Sequence, residues 1–150
     1  MVRRAHPACD GAWSRSSAPG LSRSAPEFRA ASRTHSGVLD TLSGDARVVV
    51  GGVRAASVHG ADLIELSGVE LYVLREDAAA LIGEYALQPA QDDANVVLRV
   101  AFRLPASIGR MASPAVAALD LLDAGDERSV RAARQLLRRM VARVQADAGR

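Results

Sequence analysis

Apolar and polar positions divide the chain into two unequal parts. Over residues 1–36, Ser, Ala, Arg, Pro and Gly alternate with neither a strand nor a helix period, and Pro7, Pro19 and Pro26 interrupt any helix. This stretch holds too little apolar side chain to offset the entropy of ordering its backbone, so residues 1–36 are expected to be a disordered Arg/Ser/Pro-rich tail. From residue 37 the pattern becomes regular, and residues 37–150 are expected to form a single domain. Val38, Leu39 and Leu42 predict one or two helical turns. Ala46–Val50 then predicts a strand whose consecutive valines imply burial on both faces. Gly51-Gly52 makes a tight turn into a short helix, Val53–His59, and Gly60 suits the left-handed residue past a helix end.

Ala61–Leu66 fits either an extended connection or a short strand, and Ser67-Gly68 a turn. Val69–Leu74 alternates Val69, Leu71 and Val73 against Glu70, Tyr72 and Leu74, a half-buried strand with a fairly apolar second face. Glu76–Tyr85 predicts a helix with Glu76 and Asp77 in its first turn and Ala78, Leu81, Ile82 and Tyr85 inward. After a polar connection, Asn95–Arg103 predicts a strand. Val96, Leu98, Val100 and Phe102 form its core face, and Val97, Arg99, Ala101 and Arg103 a wet or interfacial face. Leu104–Met111 is expected to be a loop.

Ser113-Pro114 marks a helix start, with Ser as N-cap and Pro at the first helical position. Asp126 caps a last helix, whose apolar stripe is Val130, Ala133, Leu136, Leu137, Met140, Val141 and Val144. The fold class expected is α+β: a small mixed sheet of about three to four strands, helices on one side, and a C-terminal helical pair. An α/β arrangement is the near alternative.

Composition narrows the function classes. All 19 basic residues are arginine, so a single arginine carries less information than usual. The net charge of +2 is unevenly placed: residues 1–36 hold six arginines against two acids, the remainder 13 against 15. The basic excess belongs to the tail and does not mark the domain as a polyanion binder. The single cysteine, Cys9, excludes an intramolecular disulfide or a thiolate metal cluster and fits a cytoplasmic location. No apolar run reaches the roughly 18–20 residues needed to span a bilayer, so no membrane partner is expected. Arg3-Arg4 lacks the apolar region an export signal requires, although the tail shares its composition with organelle transit peptides.

Gly51-Gly52 after a strand has two readings. It could cradle a phosphate at a helix N-terminus, or it could simply turn strand into helix. The chain lacks the third glycine of a dinucleotide fingerprint and the Gly-Lys-Ser/Thr of a P-loop. Nucleotidyltransferases share the strand, Gly-Gly, helix and strand skeleton, but need an Asp-x-Asp pair to hold two magnesium ions. Here the second strand offers Glu70-Leu71-Tyr72, one acid where two are required; Gly51, Gly52 and Glu70 line the nucleotide site of the alternative reading, a nucleotidyltransferase-like enzyme or its inactive descendant. His59 has no histidine partner outside the tail and is expected to bond backbone at a helix end. On the last helix Arg131, Arg134 and Arg138 lie close together, and with Arg99 and Arg103 on the outer strand face they are the candidate binding residues for an acidic partner or phosphates. Neither a cofactor nor a metal is called for.

Five segments in order carry a resemblance. Gly51–Leu63 resembles the small-Gly-x-x-Ala-Ala-x-x-His-Gly segment of the AbiEi-type antitoxins found among actinobacterial transcriptional regulators. Val69–Leu74 fits the strand that follows, as do Glu84–Pro89 and Asn95–Val100 their segments, and Ala112–Asp123 is similar to the Ser-Pro-x-x-Ala-Leu-Leu-Asp-Leu-Leu helix. The resemblance spans about residues 45–145. It implies an antitoxin of a type IV toxin-antitoxin pair that represses its own operon and opposes a cognate nucleotidyltransferase-type toxin, with operator DNA the other implied partner. In that family a winged helix reads DNA and a C-terminal domain performs antitoxicity. Residues 1–44 show no helix-turn-helix pattern, so the chain resembles the C-terminal domain alone, or the product of a truncated gene.

Overall fold

A computed structural model describes residues 28–64 and 68–149, the side chain of Phe28 excepted. In chain order the elements are β1 (Phe28–Arg33), a 3-10 turn (Ser36–Val38), α1 (Leu39–Ser43), β2 (Val48–Val50), α2 (Gly52–Val58), β3 (Val69–Leu74), α3 (Arg75–Glu84), β4 (Gln88–Pro89), β5 (Val96–Ala101), β6 (Ser107–Ile108), β7 (Met111–Ala112), α4 (Pro114–Ala124) and α5 (Glu127–Ala148). The α+β class holds, with more strands than the three to four expected. Seven strands form one mixed sheet in the order β4-β1-β5-β3-β2-β7-β6. The additions are β1 and the two-residue strands β4, β6 and β7, which exist through pairing with neighbours rather than through any local period.

The tail expectation fails over residues 28–36. β1 pairs antiparallel along β5, from Phe28 opposite Val100 to Ser32 opposite Val96. Residues 1–27 lie outside the described residues, as does the predicted turn residue Ser67. β3 and β5 run parallel, and β2 pairs antiparallel with β3.

Helices cover both faces of the sheet, correcting the one-sided arrangement. On one face Val48, Val50, Leu71, Val73, Leu98 and Val100 pack with Leu42 of α1 and Ala78 and Leu81 of α3. On the other, Val49 and Tyr72 pack with Ala55 and Ala56 of α2, Ala117, Ala118 and Leu121 of α4, and Ala133 and Leu136 of α5. The small residues of α2 let that helix approach the sheet closely. This second layer buries the face of β5 expected to be wet or interfacial: Arg99 is 5% exposed and Ala101 1%. β5 ends at Ala101, so Phe102 leaves the core pattern and is exposed, with the Arg75 guanidinium 5.7 Å from its ring centre.

The helix termini follow local chemistry. The Ser113 hydroxyl accepts the Val116 N–H and Pro114 opens α4, while the Asp126 carboxylate accepts the Ser129 N–H at 2.9 Å and opens α5. Gly60, past the end of α2, has the left-handed φ of 88° that its position predicts.

Candidate functional site

Position on the sheet assembles the site. Arg29 lies opposite Arg99, Arg99 opposite Tyr72, and Tyr72 opposite Val49, a single rung across β1, β5, β3 and β2. Glu70 precedes Tyr72 by two residues and so shares its face. All of these side chains point toward the layer of α2, α4 and α5. From that layer α4 projects Asp120, and Asp123 one turn later, toward the rung.

Two glycines make room for this contact. A Cβ on Gly51 would stand 2.7 Å from Asp120 Oδ2 and 2.8 Å from the Tyr72 ring. At Gly52, where φ is +59°, a Cβ would stand 2.5 Å from Glu70 Oε2. The Gly-Gly turn is therefore both a sharp bend and a cradle, and the chain's own carboxylates fill it. Asp120 Oδ2 accepts the Gly52 N–H at 2.8 Å, and Asp120 Oδ1 accepts the Tyr72 hydroxyl.

Arg99 binds the rest together. Its Nε donates to Glu70 Oε1 and stands 3.8 Å from Asp120 Oδ1, between the two carboxylates. Its Nη2 donates to Asp123 Oδ2 at 2.9 Å, and its guanidinium lies 5.7 Å from the Tyr72 ring centre. Arg29 closes the solvent side, 3.3 Å from Asp123 and 3.8 Å from Glu70.

Burial governs the electrostatics. Removal from water raises the Glu70 carboxyl above its ordinary value, against the opposing pull of Arg99. Burial likewise raises Asp120, although the Gly52 N–H and the Tyr72 hydroxyl favour its charged form. The Tyr72 phenol is pushed far up by burial and by the neighbouring Asp120, so it stays a hydrogen-bond donor at all ordinary pH. Burial works against the charge on Arg99, yet Glu70, Tyr72 and Asp120 outweigh it and hold the guanidinium protonated. Three carboxylates thus face two guanidinium groups: Glu70, Asp120 and Arg99 are largely closed to solvent, and Arg29 and Asp123 form the exposed rim.

The structure brings together Gly51, Gly52, Glu70 and Arg99. It separates Arg99 from the other candidate binding residues, since a buried guanidinium held by three acids cannot serve as a surface contact. Arg103 lies past the end of β5 on the exposed surface. Arg131 is 79% exposed and paired with Glu127 one turn earlier at 2.9 Å, while Arg134 and Arg138 are exposed beside it. His59 bonds backbone, as expected, but across elements: its Nε2 lies 2.7 Å from the Ala112 carbonyl oxygen in β7. Among the described residues no group of three or more His, Cys, Asp or Glu is arranged to hold a metal ion. No helix among them is long and apolar enough to cross a membrane.

Tyr72, Asp120, Asp123 and Arg29 are site residues that sequence reasoning missed. The one local signal is Asp120, a lone acid among Ala117, Ala118, Leu119 and Leu121 on a helix without basic residues. No family model matches this sequence, and no curated protein and no solved structure matches it either.

Proposed function

We propose that the chain is a non-enzymatic regulatory domain that acts by binding a partner protein or nucleic acid, similar to the antitoxin part of a type IV toxin-antitoxin pair. The observation that carries the non-enzymatic part is the filled glycine turn. The Gly52 N–H, the donor a phosphate would meet, already serves the Asp120 carboxylate at 2.8 Å. A guanidinium stands between Glu70 and Asp120, where a bridging cation would have to sit. An incoming phosphate would have to displace Asp120 and enter beside Glu70, in a cluster with more carboxylates than guanidinium groups. The antitoxin part of the reading rests on the five ordered sequence segments, and the binding part on the exposed arginines of α5.

A second reading, a nucleotidyltransferase-like domain without activity, is favoured by one observation. Glu70 lies directly over Gly52, the juxtaposition that the strand, Gly-Gly, helix and strand skeleton is built to produce. The two readings agree that the turn performs no phosphoryl transfer.

Co-expression tests the regulatory reading. On this reading a nucleotidyltransferase-type toxin is expected to be encoded beside this gene; that toxin should arrest growth alone, and this chain should restore it. Failure to restore growth with a well-folded, expressed chain would contradict the antitoxin assignment.

A further inference from the structure

The charges of the domain are segregated by element. Residues 37–126 hold six arginines against 13 acids, whereas α5 alone holds six arginines against Glu127 and Asp147. A basic rod lies on an acidic body. Elsewhere the arginines are largely consumed internally: Arg29, Arg33, Arg47, Arg54 and Arg99 each pair with acids. Among the described residues the guanidinium groups of Arg103, Arg128, Arg134, Arg138 and Arg143 have neither an ion pair nor a hydrogen bond, and four of these five belong to α5.

The same helix carries unpartnered apolar surface. All its buried residues, Ser129, Ala132, Ala133 and Leu136, lie in its first half. α5 has 22 residues against 11 in α4, so its second half runs past the helix it packs on. There Val141 is 56% exposed and Val144 69%. With the half-buried Leu137 they follow i, i+4, i+7 spacing and form one stripe beside Arg134 and Arg138. An open groove of about 500 Å³, lined by Glu127, Val130, Arg131, Arg134, Gln135 and Arg138, continues it along the first half.

We propose that the outer face of α5 docks an acidic, amphipathic helical segment of a partner protein. This rests on the reading that the domain acts by binding, and it names the partner's chemistry. Complementarity requires acids opposite Arg131, Arg134 and Arg138, and apolar residues at helical spacing opposite Val130, Leu137, Val141 and Val144. Nucleic acid fits less well on two counts. A phosphate backbone offers nothing to the exposed valines, and α5 carries no aromatic residue on which a base could stack. A polyanion extending past the helix would also meet the acidic body, whereas a segment no longer than α5 would not.

The test is fluorescence anisotropy on the full chain. The probe is a labelled peptide of about 20 residues, roughly 30 Å as a helix, with leucines at i, i+3, i+4 and i+7 and glutamates flanking them. The controls are a scrambled peptide of identical composition and a DNA duplex of about 20 base pairs. The amphipathic peptide should bind roughly tenfold or more tighter than its scramble. Arg134→Glu with Arg138→Glu should lower that affinity by roughly tenfold or more, and Arg134→Gln with Arg138→Gln by less, with far-UV circular dichroism unchanged. Val141→Ser with Val144→Ser should weaken the peptide and leave any duplex binding unaltered. Equal binding of the scramble, indifference to the arginine pairs, or tighter binding of the duplex would overturn the proposal. So would sedimentation showing self-association lost with the same arginines, which would make the acidic body of a second copy the occupant. The titration contains no toxin, so its failure is distinguishable from failure of growth rescue.

Discussion

Asp120 of α4 accepts the backbone N–H of Gly52 at 2.8 Å across 68 residues of chain. That bond fastens the start of α2 to the helical layer and occupies the position an anionic ligand would need. With the Tyr72 hydroxyl on its second oxygen, Asp120 holds two donors that would otherwise be buried and unsatisfied. Asp120→Ala should therefore destabilise the domain by about 3 kcal/mol, and Tyr72→Phe by about 1–2 kcal/mol, in urea unfolding. If acetate restores part of the lost stability of the alanine variant, the vacated carboxylate position is the cause. Equal urea midpoints for wild type and variant would contradict the role assigned to Asp120.

Among the described residues, Arg99 is the only guanidinium reaching Glu70, Asp120 and Asp123 together. Arg99→Met leaves buried carboxylates without their partner and should cost about 3–5 kcal/mol. Combining it with Glu70→Leu should cost less than the sum of the single changes, because the second change removes the orphaned charge. Additive losses in the double-mutant cycle would show that the two side chains do not act as one unit.

The glycines separate two kinds of constraint. Gly52→Ala meets both a positive φ and Glu70 Oε2 and should destabilise by about 2 kcal/mol or more. Gly83 lies on the exposed surface of α3, has no positive φ, and a Cβ there would meet nothing within 4 Å. Gly83→Ala should instead stabilise by about 0.5–1 kcal/mol through helix propensity. Thermal melts of the two variants should move in opposite directions.

The pH dependence has two opposing parts. Glu70 and Asp120 have folded-state values raised by burial, so their contribution is fully present below the ordinary carboxylate value and is lost as pH rises through the raised values. Asp45 is the reverse. Hydrogen bonds from Arg47, which donates to it at 2.6 and 2.9 Å, hold it well below its ordinary 3.8. Its contribution is present above that ordinary value and lost as pH falls through the folded one. Asp45→Asn should accordingly destabilise the domain at neutral pH, and the difference from wild type should shrink steadily in melts taken toward about pH 2. A difference independent of pH would contradict the ion pair's role.

Legibility in the sequence follows the range of the interaction. β3 is predicted at Val69–Leu74, where the structure has it, because its alternation is contained within six residues. The starts of α4 and α5 are legible because Ser113 and Asp126 bond N–H groups only three residues away. β1 escapes notice because Phe-Arg-Ala-Ala-Ser-Arg has no strong period. Its strand state comes from pairing with β5, and Arg29 finds Asp123 only after 94 residues. Arg99 falls on the correct face of β5, but alternation reveals a face and not what covers it. The cover is α4, whose acids meet the sheet through contacts with no counterpart in local spacing. The glycine pair stands out as a turn from its composition alone, while the residue that fills it becomes visible only when α4 and the sheet are placed together.

A Gly51-Gly52 turn occupied from within should leave no room for a nucleotide, and on the proposed reading it does no phosphoryl transfer. Isothermal titration of ATP with magnesium into the full chain tests this most directly. No saturable heat is expected up to millimolar nucleotide, in wild type and in Glu70→Gln alike. Saturable binding of magnesium-ATP that is abolished by Glu70→Gln would contradict the filled turn and make it a working nucleotide site.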